Sequence, residues 1–268
     1  RAVTGPAMEK IFHAVDADSG LRARAFVSAT GSGGTLAAGD HLKQALGVDI
    51  CAVEALECPT LLMNGYGEHN IQGIGDKHVP FIHNALNTDY VIAVSDKASD
   101  ALNLLFNTTV GRRYLASRTG LGQEALSGLA DLGLSSIANI LAAIKYAKYQ
   151  GLGAKDAVLT VATDGSEMYG TELDKESRAT FGGNFDGLAA AEVFGRYLLG
   201  ATTDHMKEMT RPDREGIFNL GYYTWVEQQG VSLADFDARR DPKFWDDMMD
   251  MVSIWDGLID GFNTEAGV

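Results

Sequence analysis

The chain has 268 residues, the length of one large domain or two modest ones, and it is long enough to bury a core of its own. A composition of 46% hydrophobic and 22% charged residues excludes collagen, coiled coils and disorder. With 36 acidic against 22 basic side chains, the formal charge of −14 makes nucleic acid and anionic membrane surfaces poor partners, because both would be repelled.

The sequence carries no sign of membrane insertion or secretion. No apolar run approaches the roughly 20 residues of a spanning helix, and the first residues lack the pattern of a signal peptide. Cys51 and Cys58 are separated by six residues, a spacing typical of neither a redox pair nor a zinc site. We therefore expect a soluble, cytoplasmic chain with buried thiols and no bound metal.

Apolar runs alternate with helical patterns from residue 21 to residue 161. The pattern predicts strands at 24–29, 49–55, 90–94 and 157–162, and helices at 7–15, 36–46, 95–106 and 137–149. Gly47 is expected to end the second helix, and Ser95 to cap the third. Because strands that alternate with helices pair in parallel, the predicted class is α/β, a three-layer parallel sheet flanked by helices.

The character of the sequence changes after residue 170. Residues 171–268 show no clear strand pattern and contain all three tryptophans, with acidic helical stretches such as 244–258. We predict an α/β domain over residues 1–170 and a helical C-terminal extension over 171–268 that wraps on it. The aromatic segment 222–229 is expected to dock on the core or on a second subunit, since so many exposed aromatic side chains would be a liability.

The most informative segment is Thr30-Gly31-Ser32-Gly33-Gly34-Thr35, between the first strand and the second helix. Glycines let backbone N–H groups approach a small anion, and the helix N-terminus adds about half a positive charge. A phosphate would fit; the alternative is a tight turn without a ligand. The segment lacks the Gly-Lys-Ser/Thr of a P-loop, and Leu36 stands where a dinucleotide fingerprint needs its third glycine.

This loop and the segments around it resemble the fold-type II pyridoxal-phosphate (PLP) enzymes, the group of cysteine synthase and the tryptophan synthase β-chain. The family has a strand, then Gly-x-Gly-Gly-Thr, then a helix, as at 28–39 here. The other similar segments occur in the family's order and are Thr4-Gly5-Pro6, Val53-Glu54-Ala55, Ile71-Gln72-Gly73-Ile74-Gly75, residues 89–96, residues 132–138 and residues 161–165. The resemblance covers residues 4–170 and implies the large domain of the family, in its C-terminal half.

The resemblance implies a set of cofactor-binding residues, namely Gly31, Ser32, Gly33, Gly34, Thr35, Gly73, Gly75 and Thr163. The glycine-rich loop would hold the phosphate of PLP through backbone N–H groups and the Thr35 hydroxyl. Gly73 and Gly75 would let the backbone approach the cofactor ring or the substrate. The Thr163 hydroxyl would bond the pyridine nitrogen, and a neutral partner there suits elimination and replacement at Cβ. Asp164 and Ser166 depart from the family's pattern.

The catalytic lysine of this family is missing from the sequence. In the family it forms a Schiff base with PLP and lies in a Ser-x-Lys motif upstream of the phosphate loop. Lysines such as Lys10, Lys43 and Lys77 match no such motif. Since this chemistry needs an amine nucleophile, we expect the lysine on a missing N-terminal half or on a partner subunit, within a homo- or hetero-oligomer.

Polar side chains are concentrated between residues 68 and 84. Lys77 and His78 are expected at the mouth of the active site, where they could contact a substrate carboxylate or carbonyl. Glu54 ends a strand that would face the same cleft, with capping or solvation as the alternative. His69 either titrates near neutrality or is a structural imidazole. The histidines lack the spacing of metal ligands.

The resemblance therefore implies a PLP-dependent lyase or transferase that acts on a small amino acid by β-elimination or β-replacement. Two alternatives stay open. The first is the β-subunit of a PLP-dependent 2-amino-4-oxopentanoate thiolase, which the sequence resembles at 54–65 and 75–78. The second is a non-catalytic partner subunit that keeps the fold.

Overall fold

A computed structural model describes residues 1–75 and 77–267. Asp76, in the predicted polar stretch, and Val268 lie outside the described residues. In the described part of the chain five strands form one sheet in the order β4-β1-β2-β3-β5. The strands are β1 Arg22–Ala29, β2 Asp49–Ala55, β3 Tyr90–Val94, β4 Asp156–Thr160 and β5 Met206–Glu208. The first four pair in parallel, and each end lies within two residues of its prediction, so the α/β class is confirmed.

The fifth strand corrects the expectation that residues 171–268 form no strand. β5 pairs antiparallel with β3, with Met206 opposite Ile92 and Glu208 opposite Tyr90. Three residues are too few to show the alternation by which a strand is recognised in a sequence. The strand forms because it pairs with the otherwise open edge of β3, a contact made across more than 100 residues.

The predicted helices are also found, and the segments that connect them contain further, shorter helices. The α-helices of the described residues are α1 Thr4–Asp16, α2 Ala38–Leu46, α3 Thr60–Met63, α4 Asp96–Asn107, α5 Thr109–Thr119, α6 Gln123–Gly128, α7 Leu134–Gln150, α8 Gly170–Phe181, α9 Gly187–Val193, α10 Arg211–Tyr222, α11 Leu233–Ala238 and α12 Pro242–Ala266. Gly47 ends α2 in the left-handed conformation, and its N–H donates to Lys43 O, as expected.

Helices cover both faces of the sheet. On one face, side chains such as Val27 and Ile92 pack with α4, α5, α7 and α9. On the other face, Ile50 and Val91 pack with Phe218 of α10 and Phe236 of α11, and Phe26 packs with α2. The three-layer arrangement is therefore confirmed. Cys51 and Cys58 are buried and unbridged.

The C-terminal residues pack on both helical layers. Helices α8 and α9 lie with α4 and α5, whereas α10 and α11 lie on the opposite face. α12 is anchored by the buried Trp245, and beyond it large apolar side chains such as Leu258 are exposed. The division of the chain at residue 170 stays a prediction.

Among the described residues, no single helix has both the length and the apolar character needed to cross a membrane. The segments Gln123–Asp131 and Leu134–Gln150 meet that test only as a pair bent by 115°, and most of the second segment packs against the sheet.

Candidate functional site

The predicted cofactor residues lie at the carboxyl edge of the parallel strands. The glycine-rich loop follows β1, and Thr163 lies a few residues past the end of β4. Because β1 and β4 are neighbours in the sheet and run in the same direction, both segments leave from the same edge. In open α/β sheets this edge is where ligands bind.

Asn139 of α7 joins the ends of these two strands. Its Oδ1 accepts the N–H of Ala29 at 2.7 Å, and its Nδ2 donates to Val161 O at 3.2 Å. The side chain is only 3% exposed, so the two bonds are made away from solvent. Asn139 is not among the residues predicted from the sequence, although an asparagine inside an apolar helix is a signal, since buried amides are normally hydrogen-bonded.

The glycine-rich loop presents a run of unpaired backbone donors. In the described chain, none of the six N–H groups from Gly31 to Leu36 donates a hydrogen bond. The loop joins the first turn of α2 through two backbone hydrogen bonds. Ala37 N–H donates to Gly33 O, and Ala38 N–H donates to Thr35 O. Free N–H groups at the start of a helix form a ready site for an anion.

A second loop is fastened to the first. Gly75 N–H donates to Thr30 O at 2.9 Å, which brings residues 73–75 beside the glycine-rich loop. A Cβ on Gly31 would lie 3.5 Å from the backbone of Ile74 and Gly75. The Thr30 hydroxyl is buried at this junction and has no hydrogen-bond partner in the described chain. The predicted phosphate and ring-side loops are therefore adjacent.

Three of the predicted glycines, Gly33, Gly73 and Gly75, have a backbone conformation that favours glycine. Gly33 has φ +83°, in the left-handed region that favours glycine. Gly75 has φ +81°, and a Cβ there would overlap the imidazole of His69. His69 is thus packed on the second loop, and its buried Nδ1 has no hydrogen-bond partner in the described chain. Gly73, with φ +82°, has open space around it.

Glu54 is buried behind the glycine-rich loop and caps a helix. Its two carboxylate oxygens accept the N–H groups of Leu61 and Leu62, both at 2.9 Å, at the start of α3. Burial raises the pKa of this carboxyl to about 7, although the backbone hydrogen bonds act in the opposite direction. Of the roles left open by the sequence, which were facing the cleft, solvation and capping, the contacts support capping.

Glu57 replaces Ser95 as the cap of α4. Ser95 occupies the predicted capping position, but its hydroxyl donates to Glu57 Oε1 at 2.6 Å instead of accepting from the helix. The other oxygen of Glu57 accepts the N–H of Asp96 at 3.0 Å. A carboxylate is favourable at a helix N-terminus because of the helix dipole.

Asn70 holds the segment that leads to Gly73 and Gly75 against α4 and α8 through side-chain hydrogen bonds. Its Nδ2 donates to both oxygens of Asp100, at 3.1 and 3.0 Å, and to Glu172 Oε2 at 2.9 Å. Burial raises the pKa of Asp100 to about 7. Because these contacts tie the segment to α4 and α8, the position of the second loop depends on packing that no local motif reveals.

The predicted substrate-side residues differ in exposure. His78 is half-buried, lies edge-on to Trp225 and lines a small cavity together with Thr30, Gly31 and Glu54. Lys77 is exposed, with Nζ 5.9 Å from the ring centre of Tyr66. The structure therefore brings His78 and Glu54 together beside the glycine-rich loop and leaves Lys77 at the surface.

Thr163 is exposed at the end of β4. Its Oγ1 lies 3.1 Å from Ser135 Oγ, on the first turn of α7, and 3.3 Å from Asp164 Oδ1. Asp164, one of the departures from the family pattern, receives the Tyr169 hydroxyl and accepts Gly133 N–H through its backbone oxygen at 2.8 Å. A cavity of about 390 Å³ lies along residues 162–167.

The remaining histidine of this region is structural. His83 is buried, its Nε2 lies 3.0 Å from Thr88 Oγ1, and burial lowers its pKa to about 4, so the ring is neutral at physiological pH. Among the described residues, no group of three or more His, Cys, Asp and Glu side chains is arranged to hold a metal ion.

About half of the chain is similar in sequence to a known protein. No family model matches it. Cysteine synthase B from Campylobacter jejuni is 36% identical over 146 residues, which are 54% of this chain and 42% of that protein. The chain thus matches less than half the length of that relative.

Two solved structures are also similar. O-acetylserine sulfhydrylase isoform 3 from Entamoeba histolytica is 26% identical with a TM-score of 0.49, covering 72% of this chain and 50% of that one. The O-acetylserine-dependent cystathionine β-synthase from Helicobacter pylori is 25% identical with a TM-score of 0.42, covering 63% and 49%. Both scores are below 0.5, so the relationship rests on the sequence match. That match, to a protein of the cysteine-synthase group, confirms the resemblance to the fold-type II PLP enzymes found from the motifs.

Proposed function

We propose that this chain forms the phosphate-binding part of a PLP-dependent enzyme of the cysteine-synthase type, which acts on a small amino acid by β-elimination or β-replacement. The observation that carries the proposal is the run of N–H groups from Gly31 to Leu36 without acceptors in the described chain. A phosphate ester supplies those acceptors, and the dipole of α2 favours its charge. The relationship with a cysteine synthase supports PLP as the source of the phosphate.

Two features of the loop fit a phosphate better than a plain turn. The Thr30 hydroxyl is buried without a partner in the described chain, and a turn that only reversed the chain direction would not need such a donor. The second loop also lies directly beside the first, since Gly75 N–H donates to Thr30 O and a Cβ on Gly31 would be in ordinary contact with residues 74–75, at 3.5 Å. In this proposal the phosphate is held by backbone N–H groups of Gly31, Ser32, Gly33 and Gly34 and by the hydroxyl of Thr35.

The ring side of the cofactor is assigned to the neighbouring segments. PLP, when bound, supplies an electron sink that stabilises a carbanion next to the substrate's amino group. The Thr163 hydroxyl, supported by Ser135, is proposed to bond the ring nitrogen. A hydroxyl is neutral, so it does not hold a proton on that nitrogen, which suits elimination and replacement. Gly73, which has open space around it, is proposed to let the backbone approach the substrate, whereas the space beside Gly75 is filled by His69.

The substrate side is assigned to the rim of the same edge. Lys77, at the surface, is proposed to attract the carboxylate of the small amino acid, and His78 to contact it from the half-buried side. Glu54 is proposed to shape this rim through α3, because both of its oxygens already accept backbone N–H groups. Oxygens engaged in this way are poorly placed to receive a substrate proton.

We infer that the amine nucleophile comes from a part of the protein outside this sequence. Lys43 of α2 is a poor choice, since its Nζ lies 2.7 Å from Asp89 Oδ2 in an ion pair. A missing N-terminal half or a partner subunit would supply the lysine. None of the comparisons favours the thiolase alternative. A non-catalytic partner subunit that keeps the anion site is the remaining alternative.

The proposal is tested with a PLP analogue that has no aldehyde. 4′-Deoxypyridoxine 5′-phosphate cannot form a Schiff base with surface lysines, so its binding to the 268-residue chain reports the non-covalent site alone. We expect calorimetric titration to show the phosphate ester binding at least about tenfold more tightly than 4′-deoxypyridoxine, because only the ester meets the free N–H groups. Equal affinities, or no binding of the ester, would contradict the proposal.

A matched variant connects this binding to the loop. A Cβ on Gly34 would meet only Ser32 Oγ at 3.7 Å, so the fold has room for the Cβ of Gly34→Val, which places a side chain on the loop. We expect this variant to unfold at nearly the wild-type temperature and to lose most of its affinity for the phosphate ester. Unchanged affinity would show that the ester binds elsewhere.

A further inference from the structure

The glycine-rich loop rests on a segment that the catalytic proposal does not use. Residues 79–83, called the brace here, lie behind the loop: a Cβ on Gly33 would lie 3.7 Å from Ile82 Cγ1 and 3.8 Å from His83. Leu36, at the end of the loop, packs in the same cluster as Val79 and Phe81 of the brace. Because interiors are close-packed, a shift of the brace would be transmitted to the backbone of the loop.

Two side chains of the C-terminal extension donate hydrogen bonds to backbone carbonyls of the brace. Arg239 Nη1 donates to Phe81 O at 2.9 Å, and Trp225 Nε1 donates to Val79 O at 2.8 Å. These bonds join residues that are 158 and 146 positions apart. The docking of the aromatic segment 222–229 on the core, one of the two sequence-based expectations, is therefore made at the brace.

Arg239 makes this contact with a buried, charged side chain, which is unusual in a protein interior. Its side chain is only 3% exposed, and the guanidinium lies over the rings of Phe81, Phe218 and Phe236 at 4.3, 4.8 and 4.3 Å from their centres. Burial lowers its pKa to about 10, which still leaves the group charged at neutral pH. An apolar residue would fill the same space without the cost of burying a charge. The distinctive contribution of arginine is its fixed set of donors, which reach Phe81 O and, through Nε, Phe236 O.

We propose that Arg239 is a positioning residue for the phosphate loop. By holding the carbonyl of Phe81 it fixes the brace against Gly33, and the C-terminal extension thereby sets the affinity of the loop for phosphate. This inference rests on the proposed function, because it requires that the loop binds phosphate.

The test compares Arg239→Met with Arg240→Met. Methionine at 239 keeps apolar contact with the three rings and removes the hydrogen bond to Phe81 O. Arg240 is a matched control, since its guanidinium also lies over Phe218, at 4.0 Å, but its ion pairs are with Glu215 and Asp237 of the extension. Inorganic phosphate is titrated into each full-length variant by calorimetry, and thermal unfolding is recorded in parallel.

We expect both variants to lower the unfolding temperature and only Arg239→Met to raise the Kd for inorganic phosphate, by at least about tenfold. Arg240→Met should stay within about twofold of wild type. Arg239→Lys, which can still donate to Phe81 O, should recover part of the affinity, a rescue that loss of packing alone would not produce. Equal phosphate affinities in wild type and Arg239→Met would overturn the inference.

A second variant covers the case in which Arg239→Met does not fold. Trp225→Phe removes the bond to Val79 O and keeps an aromatic ring against Phe81. It should raise the phosphate Kd by about threefold or more; an unchanged Kd would overturn the inference. If wild type itself binds no phosphate, the proposed function fails, so the two failures are distinguishable.

Discussion

Replacing Gly33 with alanine perturbs the backbone of the phosphate loop without filling its surroundings. The nearest atoms to the new Cβ would be Ile82 Cγ1 at 3.7 Å and His83 atoms at 3.8 Å, which are ordinary contacts. The cost arises from φ of +83°, where an L-residue loses about 1–2 kcal/mol. Alanine reduces this strain by turning the backbone, which rotates the N–H groups of Gly33 and Gly34 away from a shared anion.

The expected loss of affinity follows from the strength of the bonds involved. A hydrogen bond to a charged acceptor contributes about 1.5–3 kcal/mol. Since about 1.4 kcal/mol corresponds to a tenfold change in Kd, the loss of one such bond raises the phosphate Kd between about 10-fold and about 150-fold. Alanine at Gly47 is a matched control at the other end of α2, with φ +69° and no atom within 4 Å of its Cβ. It carries similar backbone strain and touches no part of the loop.

Urea unfolding and calorimetric titration with inorganic phosphate measure the two effects separately. Gly33→Ala and Gly47→Ala should both lose about 1–2 kcal/mol of unfolding free energy. Only Gly33→Ala should lose phosphate affinity. If the two variants lose similar stability while both bind phosphate as tightly as wild type, the argument that the loop's N–H groups hold the anion is refuted.

Three further changes test other parts of the site. Gly75→Ala should cost several kcal/mol in urea unfolding, from left-handed strain of about 1–2 kcal/mol plus overlap with His69 of about 1–3 kcal/mol; His69→Ala in the same chain should restore part of the loss, and no recovery would contradict the assigned contact. Burial raises the pKa of Glu54 to about 7, so this carboxyl binds its proton more tightly in the folded than in the unfolded chain. The free energy of unfolding therefore falls as pH rises from about 4.5 through about 7, by a total on the order of 3 kcal/mol. Glu54→Gln should flatten this decline in urea unfolding between pH 5 and 8, whereas curves parallel to wild type would count against the assignment. Asn139→Leu leaves a buried N–H and a buried carbonyl unpaired and should lower the unfolding free energy by roughly 2–4 kcal/mol, while a loss below about 0.5 kcal/mol would show that the two strand ends do not depend on it.

The parallel part of the sheet was predictable because its strands are continuous apolar runs bounded by turns. Residues 49–55 and 90–94 were predicted with the bounds that the structure has, since both strands are covered on both faces and show no other pattern. β5 was not predictable, because a three-residue strand depends on the open edge of β3 and not on its own sequence. The apolar pattern of the sequence therefore predicts the buried strands β2 and β3, but it does not predict β5, which forms only through pairing with β3.

In the site, too, features defined by local sequence were predictable, and contacts between distant segments were not. The glycine-rich loop was recognisable because its residue types, order and position between a strand and a helix are all local. Arg239 could not be recognised, since it acts on a carbonyl 158 positions away. The cap of α4 was misread for a related reason: Ser95 is a good capping residue in isolation, but a carboxylate from another segment, Glu57, takes the helix N–H.

The most direct measurement is an amide NMR titration of the full chain with inorganic phosphate. In the proposed site, a phosphate accepts hydrogen bonds from the N–H groups between Gly31 and Leu36, which have no acceptor in the described chain. We expect the amide resonances of these residues to shift downfield together and to saturate, at lower phosphate concentrations than any shifts in the rest of the chain. Saturable shifts confined to another part of the molecule, with these six amides unmoved, would contradict it.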